Sequence, residues 1–437
     1  MASVVVVGGG VAGLACAFRL RRAGHDVEVL ERESEAGGRM RSESRDGFVV
    51  ERGAQFVASG YRNLHTLVSA LDLASAVRPL ARSSHAILRR GRLCPADPGS
   101  LRGLLASRGL SAGAKLRLAG LAATLWRRRR HLDPYHPERA AVLDGEDMAV
   151  GFARTVGREN LEYLFAPAFS STFDCEPEDL SWAFALLALR LAAEGRRLQS
   201  FAGGNGRFTR ALAARVPVRV GCQVSAVESE TAGVRVRYRA RGREGRAIAD
   251  AAVVAVPGTE VVELCPKLTP TERGFFEQVR YGRGIVVHLL LDAPPANLSH
   301  YGVSFPKSEA LDLYGLAVDH HKEGAAPAGA GLVNAALTAR AAARMWQAPD
   351  QAIADLVVSN LARTPIGRLS PSDCVVHRWS PMLPQFAPGY LHRLDSFLSR
   401  VDRSPRLAFA GDYLVGPYVE GAVTSGIRAA TEIVRNF

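Results

Sequence analysis

Apolar and polar positions change rhythm several times along this chain. Residues 3 to 7, Ser-Val-Val-Val-Val, form a strand-length apolar run of the kind buried on both faces of a parallel sheet. From Val11 to Ala23 small and apolar residues recur at helical spacing, and Gly24 follows, a residue suited to the left-handed cap. Asp26 to Leu30 reads as a second strand. Together these predict a strand, helix, strand unit long enough for a right-handed crossover. From residue 62 to 200 the leucine, alanine and arginine pattern is mostly helical, punctuated by Pro95, Pro98, Pro134, Pro137, Pro167 and Pro177.

Strand character returns at Val218 to Val220, Val234 to Tyr238 and Ala251 to Val256. Two further runs, Ile285 to Leu291 and Gly331 to Leu337, predict a second sheet. The end of the chain repeats the opening grammar: Leu407 to Ala410 as a strand, then Gly411-Asp412, then a helix from Gly421. No internal repeat or low-complexity linker intervenes. The fold class expected is therefore α/β, with a Rossmann-like parallel sheet interrupted by insertions. Residues 1–75, 200–282 and 386–437 are assigned to the nucleotide-binding domain, and 76–199 (helical) and 283–385 (sheet) to a substrate domain.

A chain of 437 residues exceeds one ordinary core, which agrees with that division. The net charge of +12 invites a polyanion reading, but lysine occurs only at Lys115, Lys267, Lys307 and Lys322. Without a stacking motif or zinc-type spacing, the arginine excess reads as solvated surface, and no nucleic-acid partner is expected. Cys16, Cys94, Cys175, Cys222, Cys265 and Cys374 are scattered, which indicates neither a disulfide framework nor a metal site and suits the cytoplasm. Val4 to Val7 is too short for a secretory leader, and no stretch has the apolar length of a bilayer span. Trp126 followed by Arg127 to Arg130 reads as a solvated helix end, in preference to peripheral membrane contact.

The chemistry begins at Gly8-x-Gly10-x-x-Gly13, between predicted strand and helix. Glycines there allow a tight turn and bring backbone N–H groups close to a pyrophosphate at the helix N-terminus. Glu31 ends the second strand, at roughly the 20-residue spacing expected of a carboxylate on a ribose hydroxyl. That unit does not separate NAD from FAD. Gly37-Gly38-Arg39 adds a close backbone approach and a fixed guanidinium, and Gly411-Asp412 with Gly421 to Gly426 adds a second glycine-opened helix end. Both suit a longer coenzyme.

With these segments the chain resembles the flavin-containing amine oxidase and protoporphyrinogen oxidase superfamily. Asp46-Gly47-Phe48 through Gln55, Glu178 to Ser181, Gly203 to Gly206, Ala255-Val256-Pro257 and Trp379 through Gly389 resemble further landmarks in family order. The resemblance implies an oxidoreductase with non-covalent FAD. It places Gly8, Gly10, Val11, Ala12, Gly13, Glu31, Arg32, Gly38 and Arg39 on the ADP part and the backbone of Val224 near the adenine. Gly53, Ala54 and Gln55 would lie near the flavin, and Gly411, Asp412, Gly421, Ala422 and Val423 on the pyrophosphate, ribityl and ring edges. Arg32 departs from the family pattern, which often has arginine one position later, where Glu33 stands.

On the substrate side the resemblance is partial. Tyr418 fits one ring of an amine-binding pair, but the other position falls near Met382, the usual lysine falls near Val286, and no cysteine lies near Pro381 to attach flavin. That favours hydride removal from a C–H of a small, largely apolar substrate, in the manner of porphyrinogen oxidases or desaturases. Amine oxidation is the alternative, and an FAD protein without catalysis a third reading. The electron acceptor is oxygen or another carrier. Tyr418, Trp379, Phe386 and Met382 are the substrate-wall candidates. His377, His320 and His321 are read as structural, and Asp174, Glu176, Glu178 and Asp179 as capping and charge-balancing a helix start rather than binding a cation.

Overall fold

The computed structural model describes residues 1–80, 84–96, 109–195 and 197–437; Pro98 lies outside them. Five parallel strands form the central sheet, in the order Val218–Arg219, Asp26–Leu30, Ser3–Val7, Ala251–Val254, Leu407–Phe409. The opening valine run follows from this position. Val4 and Val6 enter one core while Val5 and Val7 enter another, so neither face tolerates a polar residue. The opening helix Val11–Arg22 and the closing helix Val419–Asn436 lie against each other. Gly426 permits this, since a Cβ there would lie 2.2 Å from the carbonyl oxygen of Ala12.

The closing helix begins at Val419, two residues before the glycine expected to open it. Gly421 is a packing residue instead: its Cβ would meet the Gly416 carbonyl oxygen at 2.2 Å. The strand before it stops at Phe409.

The second sheet has seven strands, in the order Asp373–Trp379, Gly284–Leu291, Gly331–Leu337, Leu313–Val318, Gly302–Ser304, His85–Arg89, Arg92–Ala96. Its last two strands come from the block read as helical. Arg90 and Gly91 both have positive φ (51° and 70°), the backbone of a two-residue hairpin turn, and Arg-Gly is a weaker signal than Asn-Gly. On Gly284–Leu291 alternate residues part company. Ile285, Val287, Leu289 and Leu291 enter the core shared with helices Ala339–Met345 and Asp350–Ala362. His288 faces the other way, opposite Asn334 and Val375 in register, and Val286 opposite Ala336 and His377. That second face meets residues 51–55: the Trp379 indole donates to the Arg52 carbonyl at 2.6 Å and Asn334 to the Gln55 side chain at 3.1 Å.

Candidate flavin site

The glycine turn after the first strand is set by backbone crowding. A Cβ on Gly13 would lie 2.0 Å from the Gly8 carbonyl oxygen, and Gly8 itself has φ +105° with the Ala255 carbonyl oxygen 2.5 Å from its would-be Cβ. At Gly10 the opposite holds, with no atom within 4 Å. The turn is therefore tight inside and open outside. No side chain caps the opening helix, and no acid lies in its first turn, so the N–H groups at Val11, Ala12 and Gly13 present a positive end suited to a phosphate.

Glu31 is buried beside this turn. Its Oε2 accepts from the Gly9 amide at 2.5 Å and its Oε1 from the Glu33 amide at 2.8 Å. The Cys222 amide donates to the Glu31 carbonyl at 2.8 Å, which brings the bulged strand around Val224 alongside. Arg32 turns outward to Glu260 at 3.0 Å. Glu31→Ala leaves the Gly9 amide without its acceptor and is expected to weaken FAD binding by roughly 10- to 100-fold, measured by titrating the apoprotein with FAD.

The chain's two ends meet at the next segment. Gly37 donates to the Gly9 carbonyl at 2.8 Å, and a Cβ on Gly38 would sit 3.3 Å from the Cα of Gly10. Arg39 reaches Asp412 at 2.8 Å, donates to the Met382 carbonyl, and stacks its guanidinium 5.7 Å from the Tyr281 ring centre. The Tyr281 hydroxyl donates to Asp412 at 3.2 Å. Burial opposes the Arg39 charge, but Asp412 and Tyr281 outweigh it and hold its pKa above the ordinary value. Gly53 and Ala54 are laced to the same residue: the Ala54 amide donates to the Arg39 carbonyl at 2.9 Å, and a Cβ on Gly53 would lie 2.4 Å from that oxygen. Asn205 donates to the Ala54 carbonyl at 2.8 Å. The Gly411 amide donates to Ser425 at 2.9 Å, on the first turns of the closing helix that carry Gly421, Ala422 and Val423.

The profile of the flavin containing amine oxidoreductase family matches residues 11–434. The chain belongs to that family. It is a flavin-dependent oxidoreductase whose cofactor is FAD, and the open turn at Gly10, the uncapped helix and the Arg39–Asp412 pair form a donor set that fits such a group. The chain is 33% identical to protoporphyrinogen oxidase of Nicotiana tabacum over 182 residues, which span 41% of this chain and only 34% of that protein. Coproporphyrinogen III oxidase of Mycobacterium tuberculosis is 24% identical over 99% of this chain and 97% of its own length. The structure of a putrescine oxidase bound to putrescine superposes with a TM-score of 0.81 at 19% identity, covering 99% of each chain, which is a likeness of fold.

The flavoprotein's substrate-wall candidates are placed unequally. Met382 lies against Gly284, and Trp379 is the register partner of that glycine. Tyr418 is partly buried with its ring 6.4 Å from that of Tyr61 and tilted by 29°. Phe386 is a correction: it is 0% exposed, wedged between Phe184 and Tyr390 at 4.4 and 4.6 Å, and serves the core. Among the histidines, His377 is buried with Nε2 3.5 Å from Glu43, and burial lowers its pKa. His320 pairs with the Leu332 backbone at 3.2 Å. Trp126 is 66% exposed, with the Arg129 guanidinium 4.6 Å from its ring centre. No helix among the described residues is long and apolar enough to cross a membrane.

Within the acidic cluster Glu178 and Asp179 lie in the first turn of the short helix Pro177–Asp179. Ser181, not an acid, caps the helix Trp182–Glu194 through the Phe184 amide at 3.3 Å. Asp174 instead ends the preceding helix Ala166–Phe173 in left-handed backbone (φ 53°), only 6% exposed, with neither carboxylate oxygen hydrogen-bonded among the described residues. Burial, aided by Glu176, pushes its pKa up to about 7. Between about pH 4 and 7 the folded state then binds more protons than the unfolded one, so this carboxyl costs stability as pH rises through that window. Asp174→Asn is expected to raise stability by roughly 1–3 kcal/mol at pH 8 and to change little at pH 4. Thermal unfolding at the two pH values measures this. Glu51 and Glu420, also raised to about 7 by burial, keep part of the slope in the variant.

A second polar cluster escaped sequence reasoning. Lys322 is buried with Nζ 2.5 Å from Asp319 and 3.4 Å from Gln55 Oε1, and Asn334 bridges Asp319 at 2.6 Å to the same Gln55 oxygen. His288 lies beside them, 3.8 Å from Asp319, and burial lowers its pKa to about 3. The signal available was the scarcity of lysine itself.

Proposed function

We propose that this flavoprotein oxidises a small, largely apolar substrate by removing hydride from a C–H, in the manner of a porphyrinogen oxidase. What supports the reading is an apolar side chain at each of two places, Val286 and Met382, where the family resemblance leads one to look for amine-binding groups. Val286 lies on the sheet face that meets residues 51–55, near the position that the resemblance gives to the lysine of the amine oxidases. Met382, near the position that the resemblance gives to the second aromatic ring, packs its thioether against Gly284, and Tyr418 stacks with Tyr61.

FAD, when bound, supplies the two-electron sink. The chain's residues then have to orient the substrate and keep water away, and Trp379, Met382 and Tyr418 supply apolar surface for both. In a porphyrinogen the loss of hydride from a bridging carbon and of a proton from a neighbouring pyrrole nitrogen leaves a conjugated C=N bond, so atoms and charge balance. Anaerobic mixing with coproporphyrinogen III, protoporphyrinogen IX, benzylamine or phytoene tests the reading. Bleaching of the flavin absorption by a porphyrinogen or phytoene is expected. Bleaching by the amine alone would replace it with amine oxidation.

A further inference from the structure

We infer that Tyr281 is a positioning residue for the cofactor: it fixes Asp412 and Arg39, the charged pair that the family resemblance places on the phosphate side of FAD. The inference concerns the coenzyme alone and stands whichever substrate the flavin oxidises. The Tyr281 hydroxyl donates to Asp412 Oδ1 at 3.2 Å and accepts from the Gly258 amide at 3.3 Å. Gly258 follows the strand Ala251–Val254 and Asp412 the strand Leu407–Phe409, neighbours in the parallel sheet. One hydroxyl thus ties together two loops at the carboxyl edge of that sheet, the edge at which open α/β folds bind their ligands. Asp412 Oδ2 is left to Arg39 at 2.8 Å, and the Arg39 guanidinium lies 5.7 Å from the centre of the Tyr281 ring. The three side chains close a triangle in which Tyr281 meets the acid with its hydroxyl and the base with its ring.

The triangle is anchored on the Tyr281 side. Tyr281 bridges Pro384 in antiparallel register, with Gln385 donating to the Arg280 carbonyl and Gly282 to the Leu383 carbonyl, both at 2.9 Å. In the same ladder the Met382 carbonyl accepts from Arg39. Burial and the Asp412 charge hold the Tyr281 pKa well above its ordinary value, so the hydroxyl keeps its proton and remains a donor to the carboxylate. Arg39 differs from its partners in keeping 30% of its side chain accessible, against 6% for Asp412. Burial nonetheless opposes the Arg39 charge, so its accessible part faces the cradle rather than bulk solvent. The neighbouring Gly38 packs on Gly10, at the open side of the glycine turn. A guanidinium held by a carboxylate, a carbonyl and a ring presents its remaining N–H groups in one direction, as recognition of a diphosphate requires.

Titration of the full-length apoprotein with FAD tests this in a double-mutant cycle of Tyr281→Phe and Asp412→Ala. Phenylalanine keeps the ring beside Arg39 and removes only the hydroxyl. Tyr281→Phe alone is expected to weaken FAD binding about ten-fold. In the Asp412→Ala background the same substitution is expected to change the affinity less than about two-fold, because the group through which it acts is gone. A merely structural hydroxyl would lower the unfolding temperature of the apoprotein and leave this coupling at zero. Unchanged FAD affinity in Tyr281→Phe therefore overturns the proposal, as does an equal loss in both backgrounds. Should Asp412→Ala bind FAD too weakly to titrate, Arg39→Met takes its place in the cycle, with the same two outcomes deciding.

Discussion

Gly13→Ala is expected to leave a protein that binds FAD at least about 100-fold more weakly and unfolds at lower temperature than the wild-type apoprotein. The added methyl would lie 2.0 Å from the Gly8 carbonyl oxygen and 3.1 Å from the Ala255 Cβ. Neither neighbour is the free end of a flexible side chain, so the strand end, the turn or the helix must move. Any of these misaligns the amides that would hold the phosphate. Gly10→Ala is the informative contrast. Its methyl meets nothing within 4 Å of the protein and projects into the open side of the turn, so stability should hold while FAD affinity falls. Thermal unfolding of both apoproteins, with FAD titration by flavin fluorescence, separates the two. Unchanged FAD affinity in Gly10→Ala would show that the coenzyme does not approach that face of the turn.

The glycine turn and the parallel sheet were legible because their causes are local. Crowding at Gly13 and two-sided burial of Val4 to Val7 act within a few residues, and both leave a mark in residue type. The meeting of Arg39 with Asp412 was legible only through resemblance, since 373 positions separate them and nothing in spacing alone brings them together. Phe386 was misread for a related reason. An aromatic residue near a predicted site looks the same in sequence whether its ring faces a ligand or, as here, Phe184 and Tyr390. Asp174 is the converse case. Acids before a helix usually cap it, and only the tertiary placement of Ser181 at the cap and of Gly284 beside the carboxylate shows Asp174 buried away from that helix start. The Arg90–Gly91 hairpin was hidden because arginine seldom takes a positive φ, so the turn carried little compositional signal.

Lys322→Met is expected to cost about 3–5 kcal/mol of stability, because it strands Asp319 as a buried charge. The ammonium is held above its ordinary pKa although burial opposes its charge, Asp319 being the main counterweight. Removing it takes from Asp319 its closest partner at 2.5 Å and from Gln55 one of two donors, leaving Asn334 to serve both. Denaturant unfolding of the variant measures the loss, and the double variant Lys322→Met/Asp319→Leu should recover much of it, since the stranded charge rather than the missing attraction dominates. A double variant no more stable than the single one would mean that the pair contributes through attraction after all. The cluster also joins the mixed sheet to residues 51–55, because Gln55 directs its amide N–H to the Gly53 and Glu51 carbonyls at 3.2 and 3.3 Å while its oxygen is held from the sheet. Stability recovered in the double variant without recovery of FAD affinity would therefore locate in Lys322 and Asp319 a second effect, the orientation of residues 53–55 against the flavin.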